Sequence, residues 1–188
     1  LPFEPPTLRG KTVYLRAVLP GEYEDLYLRE SSGELAPTGG LEGRVPSFEE
    51  WVRQRSLGVL AQFVAVRVAD NGRAGLVTAF SPDFRNGHAH VSIYGFDPGA
   101  PEPHALIGLG LLIEYAFGCW PLHKLYLDVA EYSYPQFATG TERVFVREGR
   151  LKDHHYLGGR RWDHFVLAIY RDAWAEFSAT YLRGELRG

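Results

Sequence analysis

At 188 residues, with 45% hydrophobic and 23% charged side chains, the chain has the balance of an ordinary soluble protein. It is long enough for a substantial core in a single domain covering 1–188. A net charge of −3, with no run of Lys or Arg, gives no electrostatic case for nucleic acid as a partner. The lone cysteine, Cys119, excludes an intrachain disulfide and a cysteine-rich metal site, and it is expected to be a packed thiol after a buried helix. The first six residues have neither a basic nor an apolar region, so no signal peptide is expected and a cytoplasmic setting fits.

Residues 12–18 read as a first strand, preceded by Leu8-Arg9-Gly10. Pro20-Gly21 breaks it, and 22–29 is helical, with its acidic residues early where the helix dipole favours them. The stretch 31–45, rich in Gly, Ser and Pro, is a loop long enough to be a substrate-side lid. Ser47-Phe48-Glu49-Glu50 is a capping box opening a second helix to about Arg55. Alternating runs at 62–69 and 74–80 flank the turn Asp70-Asn71-Gly72, and 88–96 follows a further turn, which makes a three-strand antiparallel meander. After a connector rich in Pro and Gly (97–103) comes a helix from His104 through Phe117, apolar nearly all round and therefore buried against a sheet. Gly108 and Gly110 interrupt it, and it is too short for a membrane span. The strand at 124–131 can lie parallel to 88–96, because a helical crossover joins them. Residues 133–143 are weakly helical. A short strand at 144–147 and a long one at 162–170 are joined by a polar segment with Gly158-Gly159, and 172–182 forms a terminal helix. The class is α/β or α+β with a mixed sheet.

This order of elements, with the phrases Leu8-Arg9-Gly10 before Val13-Tyr14-Leu15-Arg16, Glu114-Tyr115-Ala116-Phe117 before Leu122-His123-Lys124, Phe145 through Leu151, and Gly159-Arg160-Arg161-Trp162-Asp163, resembles the GNAT superfamily of acyl-CoA-dependent N-acyltransferases. It looks most like the branch of ribosomal-protein N-terminal acetyltransferases. The resemblance implies six or seven strands flanked by helices, with a V-shaped opening between the strands ending near Phe96 and Glu131. Acetyl-CoA, or another acyl-CoA, would enter there as cosubstrate. Its pantetheine arm would pair with the backbone of Tyr94, Gly95 and Phe96, with His104, Ser133 and Gln136 as further cofactor contacts. The acceptor amine would attack the thioester directly, so that the protein contributes mainly positioning and oriented N–H donors. The pattern also departs from the family's. The glycines of its phosphate loop fall near Pro101 and Pro103, which carry no N–H. Ser133 replaces the asparagine expected after the second strand, Gly140 the Tyr or Ser proton donor, and Val144 the glycine of a Gly-Phe pair.

His88, His90, Ser92 and Tyr94 share one face of their strand. His90 is the candidate general base, against the alternative of a partly exposed strand histidine. A metal site on His88 and His90 lacks a third ligand placed by sequence. Tyr132 and Tyr134 are candidate donors to the departing thiolate, against groove packing; Ser133 could bond the pantetheine or cap a helix before Pro135. Asp153-His154-His155 and Asp163-His164 resemble chelating clusters, but hairpin polarity accounts for them better, so no metal is expected. Arg160-Arg161 reads as a solvated turn or a phosphate contact. Trp51, Trp162, Phe84, Phe96 and Tyr94 would line an acceptor pocket or serve the core. The expected activity is N-acetyl transfer to a primary amine of a small molecule or a protein N-terminus. The alternatives are a GNAT-fold binding or regulatory module, or an enzyme diverted to another acyl donor. Exposed sheet edges of such folds pair into homodimers.

Overall fold

The computed structural model describes residues 8–31, 41, 44–96, 103–137 and 143–186. Eight strands form one sheet in the order β1-β2-β3-β4-β5-β6-β8-β7: β1 (Leu8–Arg9), β2 (Val13–Ala17), β3 (Val59–Arg67), β4 (Arg73–Asp83), β5 (His88–Gly95), β6 (Lys124–Ala130), β7 (Phe145–Leu157) and β8 (Arg160–Tyr170). Among the described strands only β5 and β6 pair in parallel, an arrangement that needs the helical crossover between them. The helices are α1 (Pro20–Ser31), α2 (Phe48–Ser56), α3 (Pro103–Cys119), α4 (Arg171–Tyr181) and the short α5 (Arg183–Leu186).

Local chemistry explains most element ends. Pro20 does not break the chain but opens α1, where its missing N–H would have had no partner. Ser47 accepts from Glu50 N while the Glu50 carboxylate accepts from Ser47 N, so the capping box is complete. Asn71, with φ 55°, makes the turn between β3 and β4.

Two cores lie on opposite faces of the sheet. Alternation sends Leu125, Leu127 and Val129 of β6, and Phe165, Leu167 and Ile169 of β8, onto the face covered by α3 and Trp174 of α4. Gly108 sits where α3 meets β3: a Cβ there would lie 2.5 Å from that of Ala65. On the other face, Leu26 of α1 and Trp51 of α2 cover Val64, Val66, Leu76 and Phe96. Glu30, 1% exposed, accepts from Trp51 Nε1 at 2.9 Å and pairs with Arg55. Arg171 ties the far end of α3 to the sheet, donating to the carbonyls of Phe117 (2.6 Å), Trp120 (2.7 Å) and Leu122 (2.7 Å).

Further expectations change or fall outside the described residues. The polar segment before Gly158 is not a connector: β7 extends through it, and Gly158-Gly159 forms the tip of a long hairpin. Its residues are polar because much of that strand is exposed. The short β1 raises the strand number to eight. Cys119 is exposed, since α3 runs past its buried face before ending there. Of the 133–143 stretch, the described residues 133–137 belong to a 3-10 helix, Glu131–Phe137, and 138–142 lie outside the described residues. Most of the 31–45 stretch, like Pro101 and Gly140, lies outside the described residues.

Candidate active site

The pairing of β5 with β6 runs from His88↔Lys124 to Val91↔Leu127 and ends there. Both strands continue, β5 to Gly95 on β4 and β6 to Ala130 on β8. They splay beyond Val91 and Leu127, and the wedge that opens has the β5 edge as one wall. Phe96 N donates to Ala74 O, so by the alternation of an antiparallel ladder Tyr94, like the Phe96 N–H, spends its backbone groups on β4. Those of Ile93 and Gly95 therefore turn toward the wedge. Phe96 is fixed further, its carbonyl accepting from Arg29 Nη1 at 3.1 Å.

On the face away from α3, β5, β6 and β8 present a polar chain. His90 Nδ1 lies 2.8 Å from Asp128 Oδ2, His164 Nε2 lies 3.0 Å from Asp128 Oδ1, and His155 Nε2 lies 2.9 Å from His164 Nδ1. The hydrogen bond from His90 holds the Asp128 carboxyl below its ordinary value; burial opposes this and His164 adds to it. An ionised carboxylate only accepts, so His90 donates from Nδ1, and in the neutral ring Nε2 is the proton acceptor. A depression of about 310 Å³ is lined by His90, Tyr126, Asp128, Glu148, Gly149 and Val166. Beside it, Glu148 accepts from Lys124 Nζ (3.0 Å), from Tyr126 (3.1 Å) and from Tyr170. The Tyr170 hydroxyl, then Lys124 and Tyr126, hold the Glu148 carboxyl low against the opposing effect of burial.

The two tyrosines occupy opposite faces of the sheet. Tyr132 packs edge-on to Trp162 (5.6 Å) and His155 (6.2 Å), on the histidine side. Tyr134 packs on Phe165 at 4.7 Å, on the α3 side. Between them Ser133 is half-buried, and Gln136 is exposed on the same turn. His104 is the second residue of α3, half-buried, behind Pro103 in the first position. Tyr94 belongs to the second core. Burial pushes its hydroxyl up to about 12, and the buried oxygen has no partner among the described residues. The proposed aromatic pocket is not one unit: Trp51 is core, Phe84 is exposed, and Trp162 stacks under Arg160 on the hairpin.

Sequence reasoning missed Asp128 as the partner of His90, the link from Asp128 to His164, and Glu148 on the same face. The signal available was parity: once β5 and β6 are parallel, the even-numbered residues of both strands share a face.

No protein-family model matches the chain, and a search of curated proteins finds no match. Solved structures do match. A spermidine N-acetyltransferase from Vibrio cholerae, crystallised with CoA and spermine, superposes with a TM-score of 0.72 at 21% identity, over 87% of this chain and 98% of that one. The fold is that of the GNAT acetyltransferases. A GCN5-related N-acetyltransferase from Brucella melitensis gives 0.69 at 21% identity over 96% and 86%. A probable GNAT-family acetyltransferase from Chromobacterium violaceum gives 0.67 at 16% identity over 92% and 91%. Among the described residues, no helix is long and apolar enough to cross a membrane.

Proposed function

We propose that the protein transfers an acetyl group from acetyl-CoA to a primary amine. The observation that carries this reading is the splay of β5 from β6 past Val91 and Leu127, in a fold shared with enzymes of that activity. The free edge at Ile93 and Gly95 suits a pantetheine arm, which would add to β5 as a short strand. His104 would face the cofactor from the start of α3, and Ser133 and Gln136 would meet it from the turn after β6. His90 Nε2 would take a proton from the acceptor ammonium or amine, while Asp128 fixes the tautomer and stabilises the imidazolium that forms. The neutral amine then attacks the thioester carbonyl, the C–S bond breaks, and the thiolate would leave with a proton from Tyr132 or Tyr134, which is made good by the proton that the nitrogen sheds as it becomes the amide. Positioning of the two substrates supplies most of the acceleration.

Spermidine and spermine belong to the neighbours' chemistry, and a small polyamine is accordingly one acceptor class to test. A protein N-terminus is the other, from the ribosomal-protein-like phrases. The proline-containing connector before α3 favours one second reading, a GNAT fold that no longer transfers acetyl groups: Pro103 at the head of α3 removes one of the N–H donors that could face a pyrophosphate. Calorimetric titration with acetyl-CoA, alongside thiol release against a panel of spermidine, spermine and N-terminal peptides, separates the two. Binding with thiol release is the expected result. No heat at millimolar acetyl-CoA would overturn the transferase reading and leave the binding module.

A further inference from the structure

The β7–β8 hairpin brings together three histidines that the sequence separates. We propose that His154, His155 and His164 bind one divalent transition-metal ion of the zinc type. Their ligand nitrogens all lie within 4.8 Å of one another, and the three rings form a nearly equilateral triangle with centroid separations of 5.0, 5.0 and 5.1 Å. Imidazoles on a common tetrahedral zinc, each at about 2.0–2.1 Å from the ion, put their ring centres about 5 Å apart. The triangle therefore has the size of a three-histidine site.

Consecutive residues of a flat strand point to opposite faces, so His154 and His155 could not ordinarily share a ligand. Here the strand is bulged. The register passes from Leu151↔His164 to His155↔Trp162, four residues of β7 against two of β8, and Asp153 takes φ 53°. A non-glycine residue in that region is strained, and something must hold it. Asp163, only 8% exposed, does so: its carboxylate accepts from Asp153 N at 3.0 Å and pairs with Arg150. Asp163 N is itself anchored to Glu131 Oε2 at 3.0 Å. A buried carboxylate thus maintains the one distortion that turns both histidines toward His164.

The outer partner is also in place. His164 directs Nε2 at Asp128 Oδ1, 3.0 Å away, which leaves Nδ1 facing His155 Nε2. A carboxylate behind a histidine in this way fixes the tautomer and raises the basicity of the nitrogen offered to a metal. Nitrogen-only ligation by imidazole suits zinc, nickel or copper and does not suit magnesium or calcium, which take oxygen. His154 is exposed, so the fourth position of a tetrahedral ion would face water. In the absence of metal, His155 and His164 share a hydrogen bond instead, with one imidazole N–H donating to the other.

The test uses the full chain, stripped with EDTA and titrated with zinc chloride by calorimetry, and with cobalt(II) followed by visible absorption. One ion per chain is expected, with no binding of magnesium under the same conditions. His154→Ala, at an exposed position, should keep the far-ultraviolet dichroism of the parent while weakening zinc at least tenfold and abolishing the cobalt bands. Asp128→Asn should weaken zinc by about 10- to 100-fold as the outer partner is lost. Absence of saturable zinc binding in the parent, equal binding by His154→Ala, or magnesium binding as tight as zinc would each overturn the proposal. These readouts are independent of amine acetylation, so its failure leaves this inference standing, and the reverse holds too.

Discussion

The two halves of the sheet are built from the same alternation but finished differently. From β2 to β4 both faces are covered, one by α3 and the other by α1 and α2, and even the charged Glu30 is enclosed with Trp51 and Arg55. On β5, β6 and β8 the α3 face is equally apolar, while the opposite face, with β7, carries His90, Asp128, His164, Lys124, Tyr126 and Glu148 around an open depression. One half spends its second face on stability, whereas the other leaves it available for chemistry. Mutations should divide along the same line.

The largest expected loss of stability lies in the closed half. Trp51→Ala empties a fully enclosed indole site and strands the Glu30 carboxylate, and should cost about 3–5 kcal/mol in urea unfolding. His90→Gln in the open half is its counterpart: the acetylation rate should fall by about 10²–10⁴-fold, with stability changed by less than about 0.5 kcal/mol. A substitution there that unfolded the protein would erase the distinction between the halves. Gly108→Ala tests the closed half from the α3 side. The added methyl meets Ala65, and overpacking should cost about 1–3 kcal/mol, read as a lower midpoint of thermal unfolding.

A smaller effect belongs to Glu22, held by Arg16 at 2.7 and 2.8 Å. Burial would raise its carboxyl, but the bonds from Arg16 and Leu19 N, with Arg73 nearby, bring it below the ordinary value. A carboxyl lowered on folding contributes stability that is complete above its unfolded pKa, about 4.3 for Glu, and is lost as pH falls through the lower, folded value. The unfolding midpoint should drop below that pH in the parent, and less steeply in Glu22→Gln.

Much of the fold could be read from the chain because each signal was local: the Ser47 box, the Asp70-Asn71-Gly72 turn, and the apolar run of α3 between two strands. The parallel pairing of β5 and β6 followed from the length of their crossover. What escaped the sequence depended on distance and on registers. The 145–157 strand alternates polar residues on both sides, so it carries no hydrophobic period to announce it. Which backbone groups of β5 face the wedge depends on a single bond, Phe96 N to Ala74 O. Asp128 looked like an ordinary strand acid until His90 and His164 were placed on either side of it. His90 could be singled out as a candidate from the sequence, because it lies on a strand flanking the expected opening.

The position of Arg171 has a consequence for how the chain matures. Its guanidinium closes the carbonyls at the end of α3, and the strand just before it, β8, inserts between β6 and β7. During synthesis β6 therefore emerges with one edge uncovered, and the polar end of its preceding helix stays open, until β8 and Arg171 have left the ribosome. Contacts this distant in sequence form late. Nascent chains stalled before residue 160 should leave the β6 amides that face β8 exchanging freely with deuterium, and chains extended well past Arg171 should protect them in one cooperative step.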